Sequence, residues 1–261
     1  MKSRPFTASH SGTGLHSMPP IITGLLRTVL DSPQSGPCRP PARASATLMS
    51  VATELELKYS VADSRFPAAN ELAAAAAQAG WTLTELDPVD QHDRYFDDEA
   101  RSIKASGLAL RQRAAEGRTI AALKAAGQVA GALHRRDELE LNTDGTTWPD
   151  EILDRLSGVA SPASLRTFLE LRTKRQRYLA QLASGARAEI FLDDVTAFAP
   201  ELATSVHFLE VEVEAAGHNH AGSLRDIGGA LANVMKLTPC SVNKLERAES
   251  LLQLATGWEL S

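Results

Sequence analysis

Carboxylate side chains occur in pairs with two-residue spacing near both ends of the strand-rich part of this sequence. Glu54 and Glu56 form the first pair, and Glu210 and Glu212 form the second. Because side chains two residues apart in a β-strand point to the same face, each pair presents two carboxylates side by side. Carboxylate oxygens are ligands that Mg²⁺ and Mn²⁺ prefer in proteins. The spacing therefore predicts a divalent-cation site built from strand residues.

Basic residues in similar segments lie between the two acidic pairs. The candidates for a phosphate-binding set are Arg111, Arg113, Lys124, Arg136 and Arg175. Arginine presents a planar fork that matches phosphate oxygens, and lysine acts as a compact point charge. If a metal-activated water attacks the terminal phosphorus of a polyphosphate, no protein nucleophile is needed. The residue types therefore favour metal-dependent phosphoryl chemistry.

These residues lie in segments whose apolar and polar positions alternate, as expected for β-strands. The eight segments are TELELKYSV, QHDRYFD, LALRQRAA, TIAALKAAG, HRRDELEL, RTFLELRTKRQRYLA, RAEIFLDDV and SVHFLEVEVEAA. In an ordinary half-buried sheet the charged faces would lie in solvent. However, acids dominate the first and last segments and bases the middle ones, and the predicted helices need the Leu and Val faces to pack against. We therefore predict a mainly β (α+β) fold: an eight-stranded antiparallel β-barrel tunnel with a charged lumen and helices packed outside.

Four helices are predicted around these strands. The alanine-rich segment FPAANELAAAAAQAG forms the first and ends at Gly80. The others are expected at about 149–158, 221–236 and 241–257, with Ser241 as the N-cap of the last.

The ordered set of motifs resembles the CYTH superfamily, also called the triphosphate tunnel metalloenzymes. The resemblance starts with E-x-E-x-K, here Glu54, Glu56 and Lys58, and covers about residues 53–250. The other matching motifs are DRYFD (Asp93 to Asp97), LALRQR, ALKAAG, RDE, RQRY, FLDDV, LEVEVE and NKLERA. Within the superfamily the sequence looks most like bacterial inorganic triphosphatases, here without the helical CHAD-type domain that those often carry.

The resemblance implies a role for each matching residue. The implied metal ligands, directly or through water, are Glu54, Glu56, Glu210, Glu212 and Asp193. The implied substrate-binding residues are Lys58, Arg111, Arg113, Lys124, Arg136, Arg175 and Lys244, the last closing one mouth of the tunnel. The implied catalytic residues are Glu54, Glu56, Lys58 and Glu138, with Glu138 orienting a basic neighbour or a metal-bound water. Two departures, Thr173 and Asn243, stand where many members have a basic residue and a serine, and they bear on substrate preference.

The expected function is a metal-dependent triphosphatase that hydrolyses inorganic triphosphate to diphosphate and phosphate, with Mg²⁺ or Mn²⁺ as cofactor. Within the resemblance, thiamine triphosphatase and class IV adenylate cyclase are the alternatives. A cyclase needs a pocket for adenine, and the sequence shows no clear aromatic sandwich for one. A non-catalytic polyphosphate- or nucleotide-binding module is an alternative of a different class, which tight binding without turnover would favour.

Composition limits the partners and the setting of the protein. The chain has 261 residues, 43% hydrophobic and 23% charged, which is ordinary for a globular protein. No apolar run approaches the roughly eighteen residues of a membrane-spanning helix, and two cysteines are too few for a disulfide framework. The net charge of −5 argues against a general nucleic-acid binder. We expect a cytoplasmic monomer or homodimer whose partner is a triphosphate-containing small molecule, with no nucleic acid or membrane partner.

The first 48 residues differ from the rest of the sequence. They contain seven of the thirteen prolines and five basic residues but one acid, Asp31. Such a composition is typical of disorder. We interpret residues 1–48 as a disordered leader, with Met49 as the biological start and the leader as an upstream mistranslation, and residues 49–261 as the triphosphate tunnel domain.

Overall fold

The computed structural model describes residues 52–62, 65–66, 68–215 and 221–257. The strands in these ranges are β1 (Ala52–Val61), β2 (Trp81–Asp97), β3 (Leu108–Ala115), β4 (Arg118–Ala125), β5 (Gln128–Ala130), β6 (Leu133–Thr143), β7 (Arg166–Leu182), β8 (Arg187–Phe198), β9 (Ser205–Ala215) and β10 (Leu237–Pro239). The helices are α1 (Ala69–Ala79), α2 (Ser102–Ala105), α3 (Asp150–Leu156), α4 (Ala221–Val234) and α5 (Lys244–Thr256). The predicted leader and the proposed start at Met49 lie outside the described residues.

Eight of these strands form a closed antiparallel barrel. Their order around the barrel is β1-β9-β8-β7-β2-β3-β4-β6, and pairing of β6 with β1 closes it. The two short strands extend the sheet, since β5 pairs with β6 and β10 pairs with β1. The eight barrel strands correspond to the eight alternating segments of the sequence, so the predicted barrel is confirmed.

Most of the apolar faces of the barrel strands point outward and are covered by helices. Strands β1 and β9 pack against α1 and α4. Strands β3, β4 and β6 contribute to another outer cluster with α2 and α3. The cluster with α5 is different: Leu171 and Val195 share their strand faces with Arg175 and Asp193, so α5 packs on the inner face at one end of the barrel. Because burial of apolar surface is the main stabilising term in folding, this arrangement leaves the charged faces inside the barrel. The predicted charged lumen with helices outside is therefore confirmed.

Strand β2 is longer than the segment QHDRYFD predicted for it. Its first part, Trp81 to Leu86, pairs with β7, and the register shifts between Leu86 and Val89. Pro88 lies in that shift. Because proline cannot donate to a strand ladder, it interrupts the pairing with β7 ahead of the predicted segment, which begins at Gln91.

The helix ends show which capping signals were decisive. Gly80 ends α1 in the left-handed conformation, with φ 71°, as predicted. The N-cap of α5 is Asn243 rather than Ser241, so that prediction was wrong. The Asn243 side chain accepts a hydrogen bond from the Glu246 amide, and the Glu246 carboxylate accepts one from the Asn243 amide. This reciprocal capping box, set by a glutamate three residues after the cap, places the start of the helix at Lys244.

Within the part of the chain that the structure describes, no helix combines the length and the apolar character required to cross a membrane.

Candidate active site

Ion pairs fill the barrel interior, and the strand register determines which charges meet. On β1, Glu54 lies opposite Arg136 of β6, and Lys58 lies opposite Glu212 of β9. Lys58 is 2% exposed and contacts carboxylates of Glu56 and Glu212. Burying charges is costly unless they are paired, and here oppositely charged groups are in contact.

A group of three carboxylates lies at one wall of the tunnel. Glu54 and Glu56 of β1 and Glu214 of β9 each offer one oxygen, and the three oxygens lie within 4.8 Å of one another. The Glu56 carboxylate is buried and makes no hydrogen bond within the described ranges, but Lys58 Nζ is 2.8 Å from one of its oxygens and Arg136 Nη2 is 3.1 Å from the other. Three carboxylates whose oxygens converge in this way are a donor set suited to Mg²⁺ or Mn²⁺. The residues present therefore fit the predicted cation.

The other three predicted metal ligands lie around cationic side chains. Lys244 Nζ is 2.5 Å from Asp193, 3.3 Å from Glu212 and 3.7 Å from Glu210. Arg175 donates to both oxygens of Asp193, at 2.7 and 2.6 Å, and to Glu212 at 2.5 Å. The predicted metal ligands thus form two separate groups. In the second group, the Lys244 ammonium and the Arg175 guanidinium are bound to the carboxylates.

Sequence reasoning did not assign Glu214 to the metal site. Its two-residue spacing from Glu212 was a usable signal, because it continues the same inward face of the strand. What the sequence does not reveal is the strand register, which places Glu214 directly opposite Glu56. Glu210 lies opposite Asp193 instead, which explains why it joins the other acidic group.

The predicted phosphate-binding cations surround the tunnel. Arg136 donates to Glu54 at 2.7 Å and is 3.1 Å from Glu56. Lys124 Nζ is 2.8 Å from Glu138 and 3.7 Å from Glu54, so Glu138 lies beside a basic neighbour. These side chains come from β4 and β6, opposite each other in register, because Lys124 pairs with Glu138.

Arg111 and Arg113 of β3 share acidic partners that sequence reasoning missed. Asp93 of β2 is fully buried and accepts two hydrogen bonds from Arg113, at 2.6 and 2.8 Å. It also lies 4.0 Å from Arg111, which donates to Glu140 at 3.0 Å. Asp93 belongs to the DRYFD motif, but the motif alone does not tell which carboxylate faces the tunnel.

The tunnel opens at both ends of the β3–β4 hairpin. A cavity of about 160 Å³ lies at the end where β3 begins, and it is lined by the tunnel charges together with residues of α2 and the start of α5. A second cavity of about 190 Å³ lies at the hairpin turn, where Glu116, Arg118 and Arg177 line it. Thr173, one of the two departures from the family pattern, is buried, and its hydroxyl has no partner in the described ranges.

The carboxyl groups of the tunnel differ strongly in acidity. Burial favours the neutral form of Glu54, but Lys124 and Arg136 outweigh burial and lower the pKa of Glu54 well below its usual range. Burial, with Glu56 and Glu212 nearby, raises the pKa of Glu214 to about 8. Clustered carboxyl groups of which one stays protonated near neutral pH and another is ionised are typical of functional sites, where a bound cation can replace the proton.

These pKa values predict pH-dependent metal binding. Glu214 must lose its proton to coordinate a cation, so Mn²⁺ affinity should rise from pH 6 to pH 8 by about tenfold per pH unit and then level off. Titration calorimetry in buffers of different ionisation enthalpy would measure both the affinity and the protons released. The Glu214→Gln variant should bind more weakly and lose this slope. Affinity that does not change with pH in the wild-type protein would contradict the assignment of Glu214.

Comparison with known proteins agrees with this architecture. The family model described as the CYTH domain matches residues 52–248. The solved structure of HpAC1 from Hippeastrum, described as a candidate adenylyl cyclase with a dominant triphosphatase activity, is 16% identical, with a TM-score of 0.52 over 76% of this chain and 95% of that chain. A candidate adenylate cyclase from Bacillus halodurans is 18% identical, with a TM-score of 0.45 over 75% of this chain and 97% of that one.

A third solved structure, the PH1819 protein from Pyrococcus horikoshii, is 16% identical, with a TM-score of 0.41 over 77% of this chain and 99% of that chain. A search of curated proteins finds no match. At 16% identity the HpAC1 structure bears on the fold alone. The family model covers most of the sequence, including every strand of the barrel, and the chain therefore belongs to the CYTH domain family.

Proposed function

We propose that this protein is a metal-dependent triphosphatase that hydrolyses inorganic triphosphate to diphosphate and phosphate, as the bacterial inorganic triphosphatases of the family do. The observation that carries the proposal is the closed tunnel in which three clustered carboxylates lie next to buried arginine and lysine side chains. A polyphosphate needs cations along its whole length, and its hydrolysis needs a metal ion near one phosphorus atom. The carboxylate cluster and the cations lie together in one lumen, which supports the proposal.

The charge balance of the tunnel supports metal dependence. Among the described residues, the acidic groups of the ion-pair network inside the tunnel are Glu54, Glu56, Asp93, Glu138, Glu140, Asp193, Glu210, Glu212 and Glu214. The basic groups are Lys58, Arg111, Arg113, Lys124, Arg136, Arg175 and Lys244. Because burial raises the pKa of Glu210 to about 7 and that of Glu214 to about 8, the ionised acids and the bases are nearly equal in number at neutral pH. A polyanion entering alone would break this balance, so we expect it to enter together with divalent cations.

The cation would be held by Glu54, Glu56 and Glu214, where it would neutralise phosphate oxygens and activate a water molecule. Protein side chains would bind and orient the phosphate groups. Arg136 lies next to this group and presents a guanidinium that can turn from Glu54 to a phosphate oxygen. Glu138, in contact with Lys124 and Arg111, would orient these two cations. The protein would then catalyse the reaction by positioning the substrate and stabilising the negative charge of the transition state, as is typical of phosphoryl transfer.

The walls of the first mouth favour an inorganic substrate over one with an aromatic group. Two phenylalanines lie there, and each has a ring partner in the structure. The Phe168 ring carries the Arg101 guanidinium 3.4 Å from its centroid. The Phe96 ring packs edge-to-face on Trp148, with centroids 4.9 Å apart. A thiamine or adenine ring would have to displace these partners to stack, and inorganic triphosphate would not.

Phosphate release from tripolyphosphate, thiamine triphosphate and ATP, each with Mg²⁺ or Mn²⁺, tests this proposal. We expect metal-dependent release that is strongest with tripolyphosphate and is removed by a chelator. A preference for thiamine triphosphate would move the assignment to a thiamine triphosphatase, and conversion of ATP to pyrophosphate without free phosphate would move it to a cyclase. Tight binding of tripolyphosphate without any turnover would make the tunnel a binding module and overturn the proposal.

A further inference from the structure

The loop between β2 and α2 is organised by one buried carboxylate. Asp97, the last residue of β2 and of the DRYFD motif, is 3% exposed. Its oxygens accept hydrogen bonds from the backbone amides of Asp98 at 2.9 Å, Ile103 at 2.9 Å and Lys104 at 3.1 Å. A carboxylate that binds three amides of one short loop fixes its backbone conformation. The loop lies at the first mouth, where Asp97 and Lys104 line the cavity.

Arg101, within this loop, is held in an unusual backbone conformation. Its φ of 57° and ψ of 37° are left-handed, which costs free energy for a residue other than glycine. The conformation directs the guanidinium onto the ring of Phe168 and toward α5. Nη2 of Arg101 donates to Glu249 at 2.6 Å, and Nε lies 3.9 Å from Asp97. Residues in strained conformations persist only when their surroundings determine them, and these contacts with Phe168, Glu249 and Asp97 are what hold Arg101 in place.

Glu249 connects this loop to α5. It is 5% exposed, and both of its oxygens are used: one by Arg101, the other by Lys104, whose Nζ is 2.9 Å away. Glu249 lies five residues after Lys244, the first residue of α5, so the two side chains are fixed on one rigid helix about 7.5 Å apart along its axis. Lys244 reaches into the acidic group of the tunnel, where its nearest contact is Asp193 at 2.5 Å.

We propose that Asp97, Arg101 and Glu249 act as positioning residues that hold α5 so that the Lys244 ammonium lies in the tunnel. This inference rests on the proposed function, because Lys244 is there a contact of the bound phosphate chain. The helix α5 packs on the barrel through Leu245, Ala248 and Leu252, and the contacts of Glu249 with the loop add a buried polar anchor to this packing. If the contact at Glu249 is lost, the apolar packing remains but no longer fixes the exact position of the helix, and the Lys244 ammonium is held less precisely.

A double-mutant cycle tests the coupling to Lys244. Glu249→Gln should raise the KM for tripolyphosphate about tenfold with a smaller change in kcat, the effect typical of a group that orients a binding residue. Lys244→Met should have a larger effect, and the double variant should be no worse than Lys244→Met alone, because Glu249 acts through Lys244. Ser250→Ala, an exposed position on the same helix, is the matched control and should leave KM unchanged. Independent, multiplying effects of Glu249→Gln and Lys244→Met would overturn the inference.

Hydrogen exchange without substrate provides a second test that does not depend on the activity. The amides of 244–256 should exchange faster in Glu249→Gln and in Arg101→Gln than in the wild-type protein or Ser250→Ala, while amides of the barrel strands remain protected. Arg101→Gln keeps the measurement possible if Glu249→Gln fails to fold. Unchanged exchange in α5, or a lower melting temperature with unchanged KM, would overturn the inference. Failure of the proposed function would appear separately, as no phosphate release by the wild-type protein.

Discussion

Replacing Glu54 with glutamine should lower kcat for tripolyphosphate by at least about 10³-fold and weaken Mn²⁺ binding. The amide has nearly the same shape, but it carries no charge and is a poor ligand for a hard cation. It also removes the anionic partner of Arg136, which now donates to Glu54 at 2.7 Å. The low pKa of Glu54 means that its carboxylate is ionised at every pH of interest, so the substitution removes a full negative charge.

The matched control is Glu170→Gln, the same chemical change on β7, where Glu170 pairs with His92 at 2.6 Å away from the tunnel charges. Steady-state phosphate release and Mn²⁺ calorimetry on both variants would separate loss of the site from loss of the fold. A fully active Glu54→Gln variant would overturn the site assignment. If instead Mn²⁺ binds normally while turnover is lost, Glu54 would act on water or substrate rather than on the cation.

The barrel could be predicted from the sequence because its pattern is local. Alternation within each segment identifies which side chains share a face. Because the predicted helices need apolar surface to pack against, the apolar strand faces must meet the helices and the charged faces must point into the barrel. Glu56 with Lys58, and Leu57 with Tyr59, fall on opposite faces of β1 as the pattern predicts. The inward charges therefore required no knowledge of the strand order.

The pairing of charges across strands could not be predicted, because it depends on register. A shift of two residues between β1 and β9 would keep every face correct but would place Glu212 rather than Glu214 beside Glu56. The role of Asp93 was missed for the same reason, since its partner Arg113 is fixed by the β2–β3 register. Sequence patterns therefore predict which side chains line the tunnel, but the strand register determines which of these side chains lie close enough to form a metal site.

The loop at Arg101 was beyond sequence reasoning for a different reason. Its conformation depends on contacts with residues distant in the chain, above all Glu249, and a left-handed arginine has no local signature. The glutamate three residues after Asn243 was a local signal that outweighed the serine two residues earlier, so the start of α5 could have been predicted from the capping box.

Replacing Arg175 with methionine should destabilise the protein by about 3–5 kcal/mol and abolish tripolyphosphate binding. Arg175 is 6% exposed and neutralises two buried carboxylates, Asp193 and Glu212, to which it donates three hydrogen bonds. Without it these charges remain in the barrel interior, facing the ammonium groups of Lys58 and Lys244. Chemical unfolding would measure the loss of stability, and calorimetry with tripolyphosphate and Mn²⁺ the loss of binding.

Arg177→Met provides the comparison, because Arg177 is the next inward residue of β7 and its side chain is 25% exposed at the second mouth. Its ion pair with Glu116, at 3.6 Å, lies at the surface, so we expect a stability change of about 0–1 kcal/mol. Equal losses in the two variants would mean that β7 tolerates neither change for reasons of packing. A large loss in Arg175→Met alone would mean that the buried carboxylates of Asp193 and Glu212 require a cation at this point. These carboxylates would then hold the Arg175 guanidinium in place before polyphosphate binds, and the guanidinium would have to leave them to bind a phosphate.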